Sequence, residues 1–549
     1  MALEGILALS TVIRLIGVYV AYHIIRALYN ISPFHPLSHI PGPKLAAATW
    51  FYEAWFDLIL GGMYTNEIKR MHEIYGTNNA NPSTAPCPRS AKLKLELKPS
   101  ITSPGPVVRI NPEELHFNDI AFVDEIYAGK GRKRDKQLHF LEFVAGPIRL
   151  SAFSTAGHDL HRIRRNAVNK FFSRASIARL ESLIKKLANE LCDKIIRLEA
   201  SETNTGKPFD ITEAYSCFTA DVISSYCFGE SFGFLKQKNW QPNFRQPLYG
   251  ALKSTYIFRF LPFMNVFIHI APLFADWVTE DLGVMLKESN EKMPARVRNS
   301  KKEREAGVKQ DRPSIFTALL DSSLPEQEKT DLRLGGEGFS MIGAGTETTA
   351  WTLSVTTVYL LTQPETLARL TKELQDADAL NLPWFALEKL PYLNAVVTEA
   401  LRLSYGVSAR LPRIATNENL LYRGEFQGRE VEYAIPPGTP MGMSNAINHH
   451  NEEVFPDSHK FRPERWLDIE ESEKHRMENS LTSFSRGSRQ CLGMNLAYCN
   501  MYVGLATMTL RLFPRMKLYE TDVEDVKYHH DFLAPAPKSD SKGVRAIMV

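Results

Sequence analysis

Residues 484–493 read FSRGSRQCLG, and the strongly helical run MNLAYCNMYVGLATMTLRLF follows them. Cys491 therefore stands just before or at a predicted helix N-terminus, where backbone N–H groups and the helix dipole stabilise a thiolate. A lone cysteine in a loop is more often an inert buried residue. The chemistry of Cys491 therefore depends on its neighbours and on motifs elsewhere in the chain.

The residues around Cys491 suit a flat, anionic ligand. Gly487 and Gly493 carry no side chain at points where such a ligand would lie against the backbone. Phe484 can shield the sulfur from water, and the guanidinium of Arg489 can pair with a ligand carboxylate. The five fixed positions, F-x-x-G-x-R-x-C-x-G, should recur by chance in only about one in several thousand chains of this length.

This pattern is the haem-ligand signature of the cytochrome P-450 family, and the sequence resembles that family over nearly the whole chain. The resemblance implies the cytochrome P-450 fold, mainly α with small β-sheets (α+β), and heme b held by Cys491 as the axial thiolate on the metal. Such a thiolate pushes electron density onto iron and favours O–O cleavage. Within the family, HPLSHIPGPKLAAAT and RINPEELHFND are similar to fungal secondary-metabolism members, of which trichodiene-oxygenase-like terpenoid oxidases are the nearest likeness.

A second motif, AGTETT at 344–349, lies inside a long apolar helical run. The small residues Ala344 and Gly345 would leave room over a haem face for dioxygen. Thr348 could donate to a carbonyl one turn earlier, which would loosen the helix and open a pocket. Glu347 and Thr348, as a catalytic pair, would then supply a proton route to bound oxygen. Taken alone, the motif could equally be an ordinary helix whose threonines have no catalytic role.

Glu399 and Arg402 form an E-x-x-R pair on one face of a predicted helix, three residues apart. This pair is frequent by chance, but FRPERW at 461–466 matches a further pattern of the family. The resemblance implies a network of Glu399, Arg402 and Arg465 that locks the core around the cysteine loop. Its role is structural, because one of these charges left buried and unpaired would destabilise the protein strongly.

The segment HRIRR at 161–165 matches a third motif of the family with one departure. The family usually has W-x-x-x-R, with both side chains on the haem propionates. Here His161 replaces the tryptophan and can still donate a ring N–H, while Arg165 keeps the arginine. Arg413, after the E-x-x-R helix, also matches a propionate-binding position. The resemblance thus implies a propionate site made of His161, Arg165, Arg413 and Arg489.

Composition limits the remaining possibilities. The chain has 549 residues, of which 44% are hydrophobic and 23% charged, and this excludes a disordered, collagenous or coiled-coil protein. A net charge of +3 gives no bulk attraction to nucleic acid, so we expect no nucleic-acid partner. The six cysteines contain no C-x-x-C pair, which argues against a disulfide framework and a structural zinc site.

Hydrophobic periodicity predicts a mainly helical body with small sheets on one side. The long helical runs cover residues 176–200, 337–362 and 392–403. Short strand signals lie at residues 107–110, 420–422 and 430–433.

The N-terminus predicts a transmembrane helix as a membrane anchor over residues 1–30. Its apolar run of 24 residues would span roughly 36 Å as a helix, enough for a bilayer core, although Arg14 within the run carries a cost. A secretory signal peptide and a buried amphipathic helix are the alternatives. The proline-rich segment 31–44 would be a stiff, extended linker to a catalytic domain over 45–549. Basic residues after the run favour a single-pass endoplasmic reticulum protein with a cytosolic catalytic domain.

Residues 77–105 separate Tyr75-Gly76 from the sequence PVVRI, which the family joins as YGPVVRI. The segment is polar and holds five prolines, which is typical of a loop with little to pack. We expect either a disordered surface insertion or a translated intron.

The resemblance implies a membrane-bound haem-thiolate monooxygenase that inserts one oxygen atom of O₂ into a lipophilic substrate, such as a terpenoid or another secondary metabolite. Electrons would come from NADPH through a separate NADPH-cytochrome P-450 reductase docked on the basic helix around Arg165, because no G-x-G-x-x-G follows a strand. Membrane lipid would be a further partner. A haem sensor or carrier, and a haem-thiolate isomerase or dehydratase working without a reductase, remain open. The candidate pocket walls are Phe339, Ile342, Val407, Ala409 and Phe532.

Overall fold

The computed structural model describes residues 2–75, 105–129, 131–142, 144, 146–199, 206–264, 280–308, 312–426 and 429–549. Apart from Gly105, the predicted insertion at 77–105 lies outside the described residues. The chain divides into two compact units. The first unit comprises Met1–Ala128, Lys133–Asp135 and Arg410–Met443, and the second comprises Gly129–Arg132, Lys136–Ala409 and Ser444–Val549. Both predicted boundaries, at residues 30 and 44, fall inside the first unit.

Helices make up most of the described chain. In order they are Ala2–Ile31, Lys44–Ala48, Phe51–Ala54, Tyr64–Tyr75, Val123–Ile126, Leu138–Leu141, His158–Asn169, Arg174–Ala178, Glu181–Glu199, Ile211–Phe228, Arg245–Lys253, Thr255–Phe260, Glu280–Lys287, Met293–Glu305, Ile315–Leu320, Asp331–Thr362, Pro364–Asp376, Trp384–Leu387, Pro391–Ser404, Asn445–Asn448, Glu471–Ser480 and Met494–Arg511. The three predicted helices are confirmed, although the first is divided at Arg179–Leu180 and the second begins six residues earlier than predicted.

The strands are short. They are β1 Val107–Arg109, β2 Leu115–Phe117, β3 Asp135–Lys136, β4 Phe209–Asp210, β5 Arg413–Ile414, β6 Leu420–Phe426, β7 Arg429–Ile435, β8 Pro440–Gly442, β9 Met516–Leu518, β10 His530–Phe532, β11 Ala534–Ala536 and β12 Arg545–Met548. The three predicted strands correspond to β1, β6 and β7, so the expected class, mainly helical with small sheets, is confirmed.

The first unit contains most of a five-stranded sheet with the strand order β1-β2-β8-β5-β3. β1 runs antiparallel to β2, β2 runs parallel to β8, and β8 runs antiparallel to β5. The hairpin of β6 and β7 is a separate two-stranded sheet. Its β6 side chains alternate between buried and exposed, as expected for a sheet with one face in the core. The core contains Leu115, Phe117 and Met441, all fully buried.

The proline-rich segment differs from the predicted extended linker. Its backbone forms consecutive turns, with N–H to O distances of 3.2 Å from His35 to Ser32 and 2.9 Å from Ser38 to His35. Leu37 and Ile40 are buried in the core of the first unit, which explains why the chain folds back instead of extending. The expectation of a stiff, extended connector is therefore wrong.

The N-terminal helix Ala2–Ile31 presents apolar side chains to solvent. Twelve large hydrophobic residues between positions 13 and 31 are 45–68% exposed. The last turns of this helix are held to the rest of the first unit by two contacts. Arg26 and Glu113 form an ion pair of 2.8 Å, and Asn30 Nδ2 donates to Ala48 O at 3.1 Å. Among the described residues, no helix combines the length and apolar character that crossing a membrane requires.

The second unit is organised around the helix Asp331–Thr362, which we call the long helix. It packs most extensively against Ile211–Phe228, a helix buried along nearly its whole length. Two further helices contact the long helix: Pro391–Ser404, which carries the E-x-x-R motif, and Met494–Arg511, which follows the cysteine loop. Residues of all three helices belong to one hydrophobic core. Burial on several sides explains why the long helix is apolar without a clear amphipathic pattern.

Candidate functional site

Cys491 lies in a short loop of the second unit, between the 3₁₀ turn Gly487–Arg489 and the helix Met494–Arg511. The Cys491 N–H donates to Phe484 O at 2.8 Å and closes the loop. Gly487 adopts a φ of 69°, in the left-handed region that favours glycine. A Cβ added at Gly493 would meet no atom within 4 Å, so this side of the loop is open.

The thiol of Cys491 is accessible to solvent. Among the described cysteines it is the exposed one, since Cys192, Cys217, Cys227 and Cys499 are all buried. Protein nevertheless surrounds the thiol closely, and this burial raises its pKa more than the Gly493 N–H and the Arg165 guanidinium lower it. These two groups therefore offset only part of the effect of burial on the pKa of the thiol. Binding to a metal cation would remove the proton, because a coordinated thiol is deprotonated.

Two of the predicted propionate ligands contact the segments around Cys491. Arg165 donates to Gln490 O at 2.5 Å, and its pKa is lowered by burial and raised to a lesser degree by Cys491. Arg489 is buried and donates to Thr155 O at 2.7 Å and to Ala156 O at 2.5 Å. His161 is buried one turn before Arg165 on the helix His158–Asn169. Side chains four residues apart share a helix face, so His161 and Arg165 project together.

Arg413 belongs to the first unit, where it is buried without a carboxylate partner among the described residues. It donates only to backbone carbonyls next to it in the chain, and burial lowers its pKa to about 10. Its neighbour Arg410 is equally buried but is held by Glu53 and Glu114, at 2.6 and 2.7 Å. A buried cation without a counter-charge is costly, so Arg413 is suited to an anionic ligand group.

The side chain of Thr348 forms the bond that the sequence predicts. Its hydroxyl donates to Ala344 O at 2.8 Å, one turn earlier in the long helix. The helix stays α-helical throughout Asp331–Thr362, so the predicted loosening is absent. Ala344 is exposed although most residues of this helix are buried, which leaves open space beside the Thr348 hydroxyl.

Glu347 is held away from Thr348. Ser216 donates to Glu347 Oε1 at 2.7 Å, and Arg245 pairs with Oε2 at 3.2 Å. Burial raises the pKa of this carboxyl, and Arg245 lowers it less than burial raises it. Within the described residues, no hydrogen bond joins Glu347 to Thr348. Neither Ser216 nor Arg245 could be predicted as a partner from local sequence, because each lies more than 100 residues from Glu347.

Gly345 serves helix packing. A Cβ at this position would lie 3.0 Å from Ile223 Cγ1 of the neighbouring helix Ile211–Phe228, which is closer than side chains normally pack. The absence of a side chain therefore lets the two helices approach each other. The sequence analysis predicted open space beside both Ala344 and Gly345. In the structure the open space lies beside Ala344, whereas Gly345 packs against Ile223.

The E-x-x-R network has the predicted members. Glu399 receives bonds from Arg402 at 2.8 Å and from Arg465 at 3.0 Å, and all three side chains are buried. Burial raises the pKa of Glu399, but the two guanidiniums together lower it further, so it lies below the ordinary value. Trp466 Nε1 also donates to Glu399 at 2.9 Å, a contact that the sequence did not indicate.

These residues fit a haem in three respects. One accessible thiol lies in a loop beside open space, the guanidiniums of Arg165 and Arg489 lie against the segments around that loop, and Ala344 is exposed on a helix that is otherwise largely buried. Within the described ranges, no cluster of three or more His, Cys, Asp and Glu side chains could hold a bare metal ion.

Comparison with known proteins decides between the readings of this site. The family described as cytochrome P450 matches residues 104–541, which is most of the chain. The chain belongs to the cytochrome P450 family. Members of this family bind haem iron through a cysteine thiolate, so the P450 is a haem-dependent oxidoreductase that incorporates oxygen.

Similar curated proteins come from filamentous fungi. The cytochrome P450 monooxygenase tpcC of Cochliobolus heterostrophus is 34% identical over 97% of this chain and 96% of its own length. The tryptophan 6-hydroxylase fscE of Fusarium equiseti is 37% identical over 95% and 93%. The conidiogenone synthase PchP450 of Penicillium rubens is 36% identical over 94% and 95%. The fungal secondary-metabolism relationship expected from the sequence is confirmed, and P450s of this kind use O₂ and a lipophilic substrate.

Proposed function

We propose that this P450 hydroxylates or otherwise oxygenates a terpenoid secondary metabolite, with electrons from NADPH delivered by a separate reductase. The observation that carries the proposal is the accessible Cys491 thiol in its closed loop, together with the exposed Ala344 on the long helix. The predicted pocket walls support a lipophilic substrate, since Phe339, Ala409 and Phe532 are apolar and almost completely buried. Ile342 is fully buried, and like Phe339 it belongs to the hydrophobic core of the second unit.

The roles of the site residues follow from their contacts. Cys491 would hold the haem iron, and Arg165 and Arg489 would hold the propionates, with His161 beside Arg165. Arg413, in the first unit, keeps only the propionate role that the family resemblance implies. Bound haem would supply the activation of dioxygen, which the thiolate promotes by donating electron density. Phe484, whose ring lies 5.1 Å from that of Tyr498, would exclude water from the sulfur.

Proton delivery would fall to the long helix. The Thr348 hydroxyl stands beside the open space at Ala344, and it can accept a hydrogen bond there while its own proton is donated to the Ala344 carbonyl. It could pass that proton to an acceptor in the open space only after the bond to Ala344 O opens. Glu347 would replenish that proton only after it leaves Arg245 and Ser216, because both hold its carboxyl now. Its raised pKa favours the protonated form needed for donation.

The membrane attachment is part of the same proposal. The apolar side chains exposed along Ala2–Ile31 are suited to lipid, and we propose a single-pass anchor in the endoplasmic reticulum membrane with the catalytic domain in the cytosol. Exposed Phe34, Phe51 and Trp55 follow the helix in the first unit and would lie at the headgroups.

The test uses full-length protein with haem, NADPH and a fungal P450 reductase. Substrate binding is first screened by the haem spectral shift with a panel of terpenoids, and with tryptophan as a second arm. We then expect NADPH and O₂ consumption with a terpenoid, and one oxygen atom of ¹⁸O₂ in the product. Turnover without reductase, or binding and oxygenation of tryptophan alone, would contradict the proposal.

A further inference from the structure

His449 joins the E-x-x-R network to the segment that leads into the cysteine loop. It is completely buried and lies just after the short helix Asn445–Asn448. Its Nδ1 lies 2.8 Å from Arg402 O, and its Nε2 lies 3.1 Å from the backbone N of Thr482. Arg402 returns the contact, because its guanidinium donates to His449 O at 2.8 Å.

The partners fix the tautomer of the ring. The Thr482 backbone N–H can only donate, so Nε2 must be the acceptor and Nδ1 must carry the proton that it gives to Arg402 O. Burial lowers the pKa of His449 to about 3, so the ring is neutral at physiological pH and keeps the Nε2 lone pair. Both nitrogens are therefore used, each for a different element.

Thr482 is the point at which this bond reaches the loop. The Thr482 carbonyl accepts from the Ser485 N–H at 2.7 Å. Phe484, two residues after Thr482, provides the carbonyl to which the Cys491 N–H donates. Asn445 holds Thr482 from a second side, since Thr482 Oγ1 donates to Asn445 Oδ1 at 2.5 Å.

From this geometry we propose that His449 is a positioning residue for the haem-thiolate ligand: through Nε2 it fixes the Thr482 amide and hence the height and direction of the Cys491 loop. The proposal rests on Cys491 as the iron ligand and goes beyond the known E-x-x-R role, because it assigns the connection between that network and the loop to one imidazole nitrogen.

The two nitrogens can be separated by substitution. In His449→Asn the amide nitrogen stands near the position of Nδ1, so the bond to Arg402 O can persist while the acceptor for Thr482 is lost. In His449→Gln the amide oxygen reaches the position of Nε2 and can still accept from Thr482. His459→Asn is the matched control, because His459 is exposed ten residues along the same segment.

The measurements are made on full-length holoprotein. We record the reduced, CO-bound spectrum and the rate at which haem passes to excess apomyoglobin. For His449→Asn we expect partial loss of the thiolate-type band and haem loss roughly 10-fold faster or more, the size typical for partners of metal ligands. His449→Gln and His459→Asn should keep the wild-type band and rate.

Hydrogen–deuterium exchange of the peptide containing Thr482 gives a readout that simple loss of core volume would not produce. Its amide should exchange faster in His449→Asn and remain protected in His449→Gln. Equal behaviour of the Asn and Gln variants, in spectrum or exchange, would overturn the proposal. If His449→Asn gives no folded protein, His449→Gln decides alone. Haem retention by the Gln variant at the wild-type level would support the proposal, and rapid haem loss from it would contradict the proposal.

A failure of this inference is distinguishable from a failure of the proposed function. If Cys491→Ser removes the thiolate-type band while both His449 variants keep it, only the role of His449 is wrong. If Cys491→Ser keeps the band, the iron ligand itself has been assigned wrongly.

Discussion

Thr348 carries the most specific chemical expectation in the long helix. Its hydroxyl, which donates to Ala344 O at 2.8 Å, lies beside the open space at Ala344. We expect Thr348→Ala to consume NADPH while the fraction of its electrons that appears in product falls about tenfold or more. General-acid groups typically contribute factors of this size or larger to the rate of the reaction that they assist. The measurement is product formed per NADPH, with hydrogen peroxide quantified in parallel.

The control for this experiment is Thr356→Ala. Thr356 lies two turns later and donates to Thr352 O at 2.7 Å, so it makes the same kind of bond at a buried place. Its removal should leave the coupling unchanged. Wild-type coupling in Thr348→Ala would remove Thr348 from the proton route.

Glu399 makes a prediction about pH as well as stability. Glu399→Gln would leave Arg402 and Arg465 buried without a counter-charge, which should lower the free energy of unfolding by about 3–5 kcal/mol. The folded-state pKa of Glu399 lies below the ordinary value of 4.5, so its stabilising contribution is complete above pH 4.5 and is lost as the pH falls through the folded value. Thermal midpoints at pH 7 and at pH 4 and below test both statements.

The difference between wild type and Glu399→Gln should therefore be largest at pH 7 and should shrink in acid. Glu473→Gln is the matched control, since Glu473 pairs with Arg476 on the surface and should show little change. Equal midpoints for wild type and Glu399→Gln at pH 7 would show that the network does not stabilise the fold.

The contact between the long helix and Ile211–Phe228 depends on Gly345. A side chain there would collide with Ile223, so Gly345→Val should lower the free energy of unfolding by about 1–3 kcal/mol, the usual cost of overpacking. Adding Ile223→Ala should recover part of this loss, because it removes the colliding atoms. Chemical denaturation of the single and double variants measures the coupling.

Ala344→Val is the companion variant on the same helix, and it should leave stability nearly unchanged because Ala344 is exposed. A Gly345→Val protein as stable as wild type, or a double variant less stable than the sum of the single variants, would contradict the packing role.

Sequence patterns identified those elements that have local signals. The C-terminal end of the long helix follows from hydrophobic periodicity, and the bounds of Pro391–Ser404 follow from the same signal and from Pro391 at the helix start. The turns of the proline-rich segment could not be predicted in the same way, because they depend on the burial of Leu37 and Ile40 by residues far along the chain. The E-x-x-R network was predictable only through the family resemblance.

The candidate site shows the same limit. Cys491, Thr348 and Arg165 stand in recognisable motifs, whereas Arg245 and His449 act through side chains distant in sequence and carry no local signal. The different roles of Ala344 and Gly345 depend on which way each residue faces on the helix, and the contact of Gly345 with Ile223 is not visible in the local sequence.

Attachment of the entire protein to membranes is testable by fractionation. We expect the full-length chain to float with liposomes that contain anionic lipid, and a variant without residues 2–31 to float much less, because twelve exposed apolar side chains would be lost. Flotation is measured in high salt as well, where a merely electrostatic association disappears. Equal flotation of both chains would locate the lipid contact elsewhere.

The most direct measurement is the reduced, CO-bound absorption spectrum of the purified, haem-reconstituted protein and of two cysteine variants. The wild-type protein should show the band of thiolate-ligated haem, Cys491→Ser should lack it, and Cys499→Ala, at a buried cysteine in the following helix, should retain it. A thiolate band that survives in Cys491→Ser, or a wild-type protein that binds no haem, would contradict the assignment of Cys491 as the iron ligand.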